Sequence, residues 1–108
     1  ERYENLGPLT LGDAHNFHLH SVFIEAESLA AETGLSCENI NRAALHRVLI
    51  RNSDFATVMV PNRAWQQTTL NVVCPLSKLS RVIAGGEPPK EIADAMKQSQ
   101  IMVEVCEL

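Results

Sequence analysis

The sequence predicts a mainly α domain with one small β-hairpin (α+β) and helices at its C-terminal end. Three observations lead there. Apolar residues recur at helical spacing through residues 13–49. Two β-branched stretches, Thr57-Val58-Met59-Val60 and Thr68 to Val73, flank a loop opened by Pro61-Asn62-Arg63. Two prolines, Pro75 and Pro89, then open runs whose apolar residues again fall at helical spacing. At 108 residues the chain has room to bury one core rather than two, so 1–108 is read as a single domain.

The elements follow in order. Residues 1–12, with Gly7, Pro8 and Gly12, read as an extended lead-in. Asp13 is placed to cap a first helix running to about Ala26, in which Leu19, Val22, Phe23 and Ala26 follow the i, i+3, i+4, i+7 rule. His15 and His18 share a face of that helix, and Asp13 or Cys37 lies within conceivable reach. The spacing matches no closed metal site, so the histidines read as surface or partly buried side chains, with no metal and no cofactor expected.

Residues 28–49 read as two short helices joined at Gly34, which ends the first without steric penalty by taking the left-handed conformation. Ser36 is read as the cap of the second helix, along which Ile40, Ala44 and Val48 form a stripe facing back on the first. The set Ala30, Gly34, Leu35, Ile40, Asn41, Arg42, Ala43 resembles the helix-turn-helix signature of DNA-binding domains, in the form found in Cro repressors. The resemblance implies a recognition helix lying in the DNA major groove. A helical wheel at about 100° per residue puts Glu38, Asn39, Arg42 and His46 on the outer half of that helix, with Arg42 suited to guanine, Asn39 to adenine and Glu38 to cytosine. Ser36 falls at the start of the same helix, and Arg47 and Arg51 lie toward its edge, suited to phosphate.

The two β-branched stretches within 55–74 then read as a wing with Arg63 near its tip, a winged helix-turn-helix arrangement; a helix over 62–74 competes with it. Within 75–108, Pro75 opens a helix through Leu76, Leu79 and Ile83, closed by Gly85-Gly86. Pro89 opens another, with Ile92, Ala95, Met96 and Ser99 inward. The apolar tail Ile101 to Cys106 either finishes that helix or forms a strand, and reads equally as a candidate dimerisation surface or as the closure of the domain's own core.

The formal charge is −4, with Arg42, Arg47, Arg51, Arg63, Lys78 and Arg81 gathered in the middle and carboxylates predominating at both ends. A basic middle is the distribution expected of a domain presenting one face to phosphate. Cys37, Cys74 and Cys106 form no Cys-x-x-Cys pair and read as reduced thiols of a cytoplasmic protein. No apolar run approaches the roughly 20 residues of a membrane helix. With no phosphate-binding glycine loop, Gly-x-Ser-x-Gly elbow or His-Glu-x-x-His, an enzyme is not expected. The sequence therefore predicts a homodimeric regulator of transcription or replication that binds double-stranded DNA, with a non-enzymatic protein-interaction domain as the alternative.

Overall fold

The computed structural model describes residues 18–106. Its described elements are β1 (Leu19–Glu25), β2 (Ser28–Ala30), β3 (Gly34–Cys37), α1 (Ile40–Arg51), β4 (Ser53–Val60), β5 (Asn71–Cys74), β6 (Arg81–Ala84), α2 (Lys90–Gln98) and β7 (Met102–Val105). Single 3-10 turns stand at Asn62–Ala64 and Leu76–Lys78. The fold is α/β rather than mainly α. Four strands form a sheet in the order β1-β4-β6-β7, and β2-β3-β5 form a second sheet.

Every pairing in the first sheet is parallel, with Val22 beside Ala56, Ile24 beside Val58, Val58 beside Val82 and Val60 beside Ala84. These residues share one face, and each is at most 4% exposed. The opposite face carries Phe23, Phe55, Met59 and Ile83 half-buried, with Thr57 buried among them. A parallel sheet needs long crossovers. The β2–β3 hairpin and α1 make the first, β5 with its turns the second, and α2 the third. Each strand is tied to its neighbour just past its carboxyl end, where Ala26 N–H donates to Met59 O and Gly85 N–H to Val60 O, both at 2.8 Å. The second sheet is antiparallel throughout, and its Leu29, Leu35, Val73 and Cys74 join the same core as Leu49, Ile50, Ile92 and Met96 of the helices.

Several sequence expectations are corrected here. Leu19–Glu25 is a strand, not part of a helix; the proposed cap Asp13, His15 and the lead-in lie outside the described residues. Val22 and Ile24 within β1, and Ala26 just past its end, are buried at period two, the repeat of a strand with one buried face. The supposed first helix of the pair is strand β2. Gly34 does take a left-handed φ of +78°, but it closes a β-hairpin instead of a helix. Ser36 lies inside β3; the cap of α1 is Asn39, whose Oδ1 accepts from the Arg42 amide at 2.9 Å. The helix-turn-helix unit is therefore not formed.

Nor is there a wing. The stretches at 57–60 and 68–73 never pair: β4 lies between β1 and β6, while the second stretch becomes a strand only from Asn71, as β5, and joins β3. Arg81–Ala84 is a strand where a helix was expected, since Val82 and Ala84 alternate inward after the turn has buried Leu76 and Leu79. Three expectations hold: the strand around Thr57–Val60, the helix after Pro89 with Ile92 and Met96 inward, and the strand option for the tail.

Candidate functional site

In a parallel sheet the loops beyond the carboxyl ends of the strands can be rebuilt without disturbing the core, and ligands bind there. In this molecule the connection leaving β4 and the crossover leaving β6 meet the β2–β3 turn. Between them lies a cleft of about 260 Å³ lined by Ala30, Ala31, Glu32, Thr33, Gln66, Thr68 and Glu91.

Gln66 organises the cleft. Its backbone N–H donates to Leu29 O at 2.8 Å. Its side-chain oxygen accepts from the Ala31 amide at 3.2 Å, and its side-chain nitrogen donates to Glu91 Oε1 at 2.9 Å. One side chain thus clamps the hairpin to the start of α2. It does so from a left-handed backbone, with φ at +57°, which a residue with a Cβ adopts at a cost of about 1–2 kcal/mol. The Thr33 and Thr68 hydroxyls stand 3.0 Å apart and tie the hairpin turn to the loop after β4. Just before Gln66, Trp65 pairs with Leu29 through an isolated parallel bridge and is buried. Its indole Nε1 has no hydrogen-bond partner among the described residues.

The residues assigned to DNA contact are dispersed. Ser36 is fully buried, and its Oγ accepts from the Thr69 amide and hydroxyl at 3.0 and 3.1 Å. The Glu38 backbone is held at both ends, its N–H donating to Glu27 Oε1 and its carbonyl accepting from Asn71 Nδ2. Asn39 caps the helix, and Arg42 and Arg51 are exposed on α1. His46 is only 4% exposed, on the inner side of that helix. Arg47 clamps α1 to β5, its Nε and Nη2 both donating to Val72 O at 3.0 and 2.7 Å. Arg63 lies in the turn after β4, 3.9 Å from Glu25 across solvent.

Burial raises the Cys37 thiol pKa above its ordinary value, helped by the Glu27 charge. Desolvation pushes Cys74 up to about 11. Both buried thiols are held neutral, whereas Cys106 is exposed. The described residues contain no group of three or more His, Cys, Asp or Glu arranged to hold a metal ion, and no helix long and apolar enough to cross a membrane. His18 pairs instead with Asp54 at 3.0 Å on the surface.

Sequence reasoning missed the cleft residues. Glu32, Thr33, Gln66, Thr68 and Glu91 share no short-range pattern. Only knowledge of which strands are neighbours brings them together.

A parallel sheet with a polar cleft built from the loops beyond its carboxyl ends defines the molecule as an α/β domain, an architecture in which ligands bind at that edge. Comparison with known families agrees: residues 1–85 match the family described as the DeoR C-terminal sensor domain, and the chain belongs to that family. Such domains are the sensor parts of DeoR-type transcription regulators, so the link to regulation stands while the helix-turn-helix resemblance does not. No curated protein matches the chain.

Proposed function

We propose that this chain is the effector-sensing part of a cytoplasmic transcription regulator, non-enzymatic, and that its effector occupies the cleft clamped by Gln66. The observation that carries this is the Gln66 clamp. A strained, exposed residue holds three separate segments around an open polar cleft, and backbone strain of this kind concentrates where a ligand or switch operates. A ligand in the cleft would touch the hairpin, the loop after β4 and the first turn of α2 together, and so alter how they sit on the sheet.

Thermal unfolding with a panel of small polar metabolites tests the reading. Ligand at one hundred times its dissociation constant stabilises the native state by about 2.7 kcal/mol, raising the melting temperature by roughly 10 °C in a domain of this size. At least one compound should do this for the parent chain and lose most of the effect with Gln66→Ala. A panel that shifts neither protein would count against the cleft.

Self-association through β7 belongs to the same reading. Met102, Val103 and Val105 stay exposed on a strand at the edge of the sheet, and such edges are open to strand addition. Sedimentation should show a dimer that Val103→Asp converts to monomer.

A further inference from the structure

We propose that a second copy of this chain adds to β7 in antiparallel, about a two-fold axis that passes between the two Glu104 residues. This rests on the reading of β7 as the self-association edge and names how the two copies meet there.

The remaining strand edges are covered among the described residues. Beside β2, Gln66 N–H donates to Leu29 O and Trp65 lies along the strand. Arg47 reaches from α1 to cap Val72 O on β5. Leu19 N–H faces Asn52 O, so Val22 and Ile24 turn their main chain outward from β1, yet both residues are buried. On β7 every residue is exposed. Open edges are commonly guarded by Lys, Pro or a bulge. β7 reads Met-Val-Glu-Val and pairs with β6 in unbroken register, so it has none of these.

The free groups of that edge follow from the bonds it already makes. Met102 N–H donates to Ser80 O and Cys106 N–H to Ala84 O, so the even-numbered residues of β7 face β6. Alternate residues make the ladder bonds of a parallel pair, so Val103 and Val105 turn their N–H and C=O outward. Two identical edges related by a two-fold axis pair in antiparallel. When Val103 of one copy meets Val105 of the other, all of these groups are bonded and the axis falls at Glu104. Centring the pair on either valine instead leaves the other one opposite a residue beyond the strand of the second copy. The valine-to-valine register is therefore the one that β7 satisfies with itself.

That register has one cost. Glu104 stands opposite its own counterpart, where like charges oppose pairing. Each copy supplies a counter-charge, because Arg81 Nη1 lies 4.0 Å from Glu104 Oε1. The outcome is a continuous sheet in the order β1-β4-β6-β7-β7-β6-β4-β1, with the two clefts opening in opposite directions.

Disulfide trapping of the whole chain tests the inference, with Cys106→Ser removing the exposed thiol and diamide as oxidant. On that background Glu104→Cys should cross-link to a dimer, since opposed Cα atoms of a non-hydrogen-bonded pair stand about 4.5 Å apart, within disulfide reach. Val103→Cys should not, because its counterpart would lie roughly 8 Å away. In sedimentation Glu104→Gln should tighten the dimer by up to about five-fold. Cross-linking through Val103→Cys and not Glu104→Cys would overturn the register while leaving β7 as the interface. A dimer that neither cysteine traps but Val103→Asp dissociates would overturn the antiparallel arrangement alone. A parent chain that stays monomeric, or a dimer indifferent to Val103→Asp, would remove the β7 reading and this inference with it.

Discussion

Single residues carry the most direct consequences. Gln100 follows α2 in the left-handed conformation, with φ at +59°; its N–H donates to Lys97 O, and that of Ile101 to Met96 O. This is the paired closure that glycine completes at many helix ends. Gln100→Gly should therefore stabilise the fold by about 1 kcal/mol in denaturant titrations. Cys74 makes a prediction in pH. Its folded pKa stands near 11 against an ordinary 9.0, because burial disfavours the thiolate. A raised folded pKa means the contribution is complete below pH 9 and is lost as pH climbs toward 11, by about 2–3 kcal/mol in all. Cys74→Ser should flatten that part of the stability profile. At neutral pH a thiol reagent should label Cys106 quickly and reach Cys37 and Cys74 only on unfolding.

Among elements, the β2–β3 hairpin is the least forgiving. A Cβ added at Gly34 would sit 2.2 Å from Cys74 O and 2.7 Å from Pro75 Cα, in a backbone conformation that already resists side chains. Gly34→Ala should cost upward of about 2 kcal/mol and loosen β5 first, since it forces β3 away from its partner. The fixing of α1 is local by comparison. Arg47→Ala removes two donors to Val72 O, exposed to solvent, and should cost only about 1 kcal/mol in the same titrations. Some elements were legible and others were not, for reasons particular to their residues. Thr57-Val58-Met59-Val60 is β-branched enough to show its strand, and Pro89 with Ile92 and Met96 shows its helix. Leu19, Val22, Phe23 and Ala26 fit a helical stripe, yet Val22, Ile24 and Ala26 fit a strand equally well. In so short a run the two periods overlap, and neighbouring strands decide between them.

At the scale of the whole molecule, what the sequence hid was pairing. Gly34, Leu35 and Ile40 satisfy a helix-turn-helix pattern one residue at a time, but β3 is claimed by β2 and β5, and Ile40 is left 65% exposed where an apolar pin was expected. Likewise β4 is taken by β1 and β6, which removes the partner a wing would need. The cleft is a further step removed, because it exists only once those crossovers are laid over the sheet. The basic middle disperses for the same reason: Arg47 is drawn to β5, Arg63 toward Glu25 and Arg81 over the Phe55 ring. The measurement that bears most directly on the sensor account is amide chemical-shift mapping during titration with a compound that raises the melting temperature. The account predicts shifts that saturate together at Ala30 to Thr33, Gln66 to Thr68 and Glu91. Shifts confined to the β7 edge or to the face carrying Phe23 and Phe55, with the cleft silent, would contradict it.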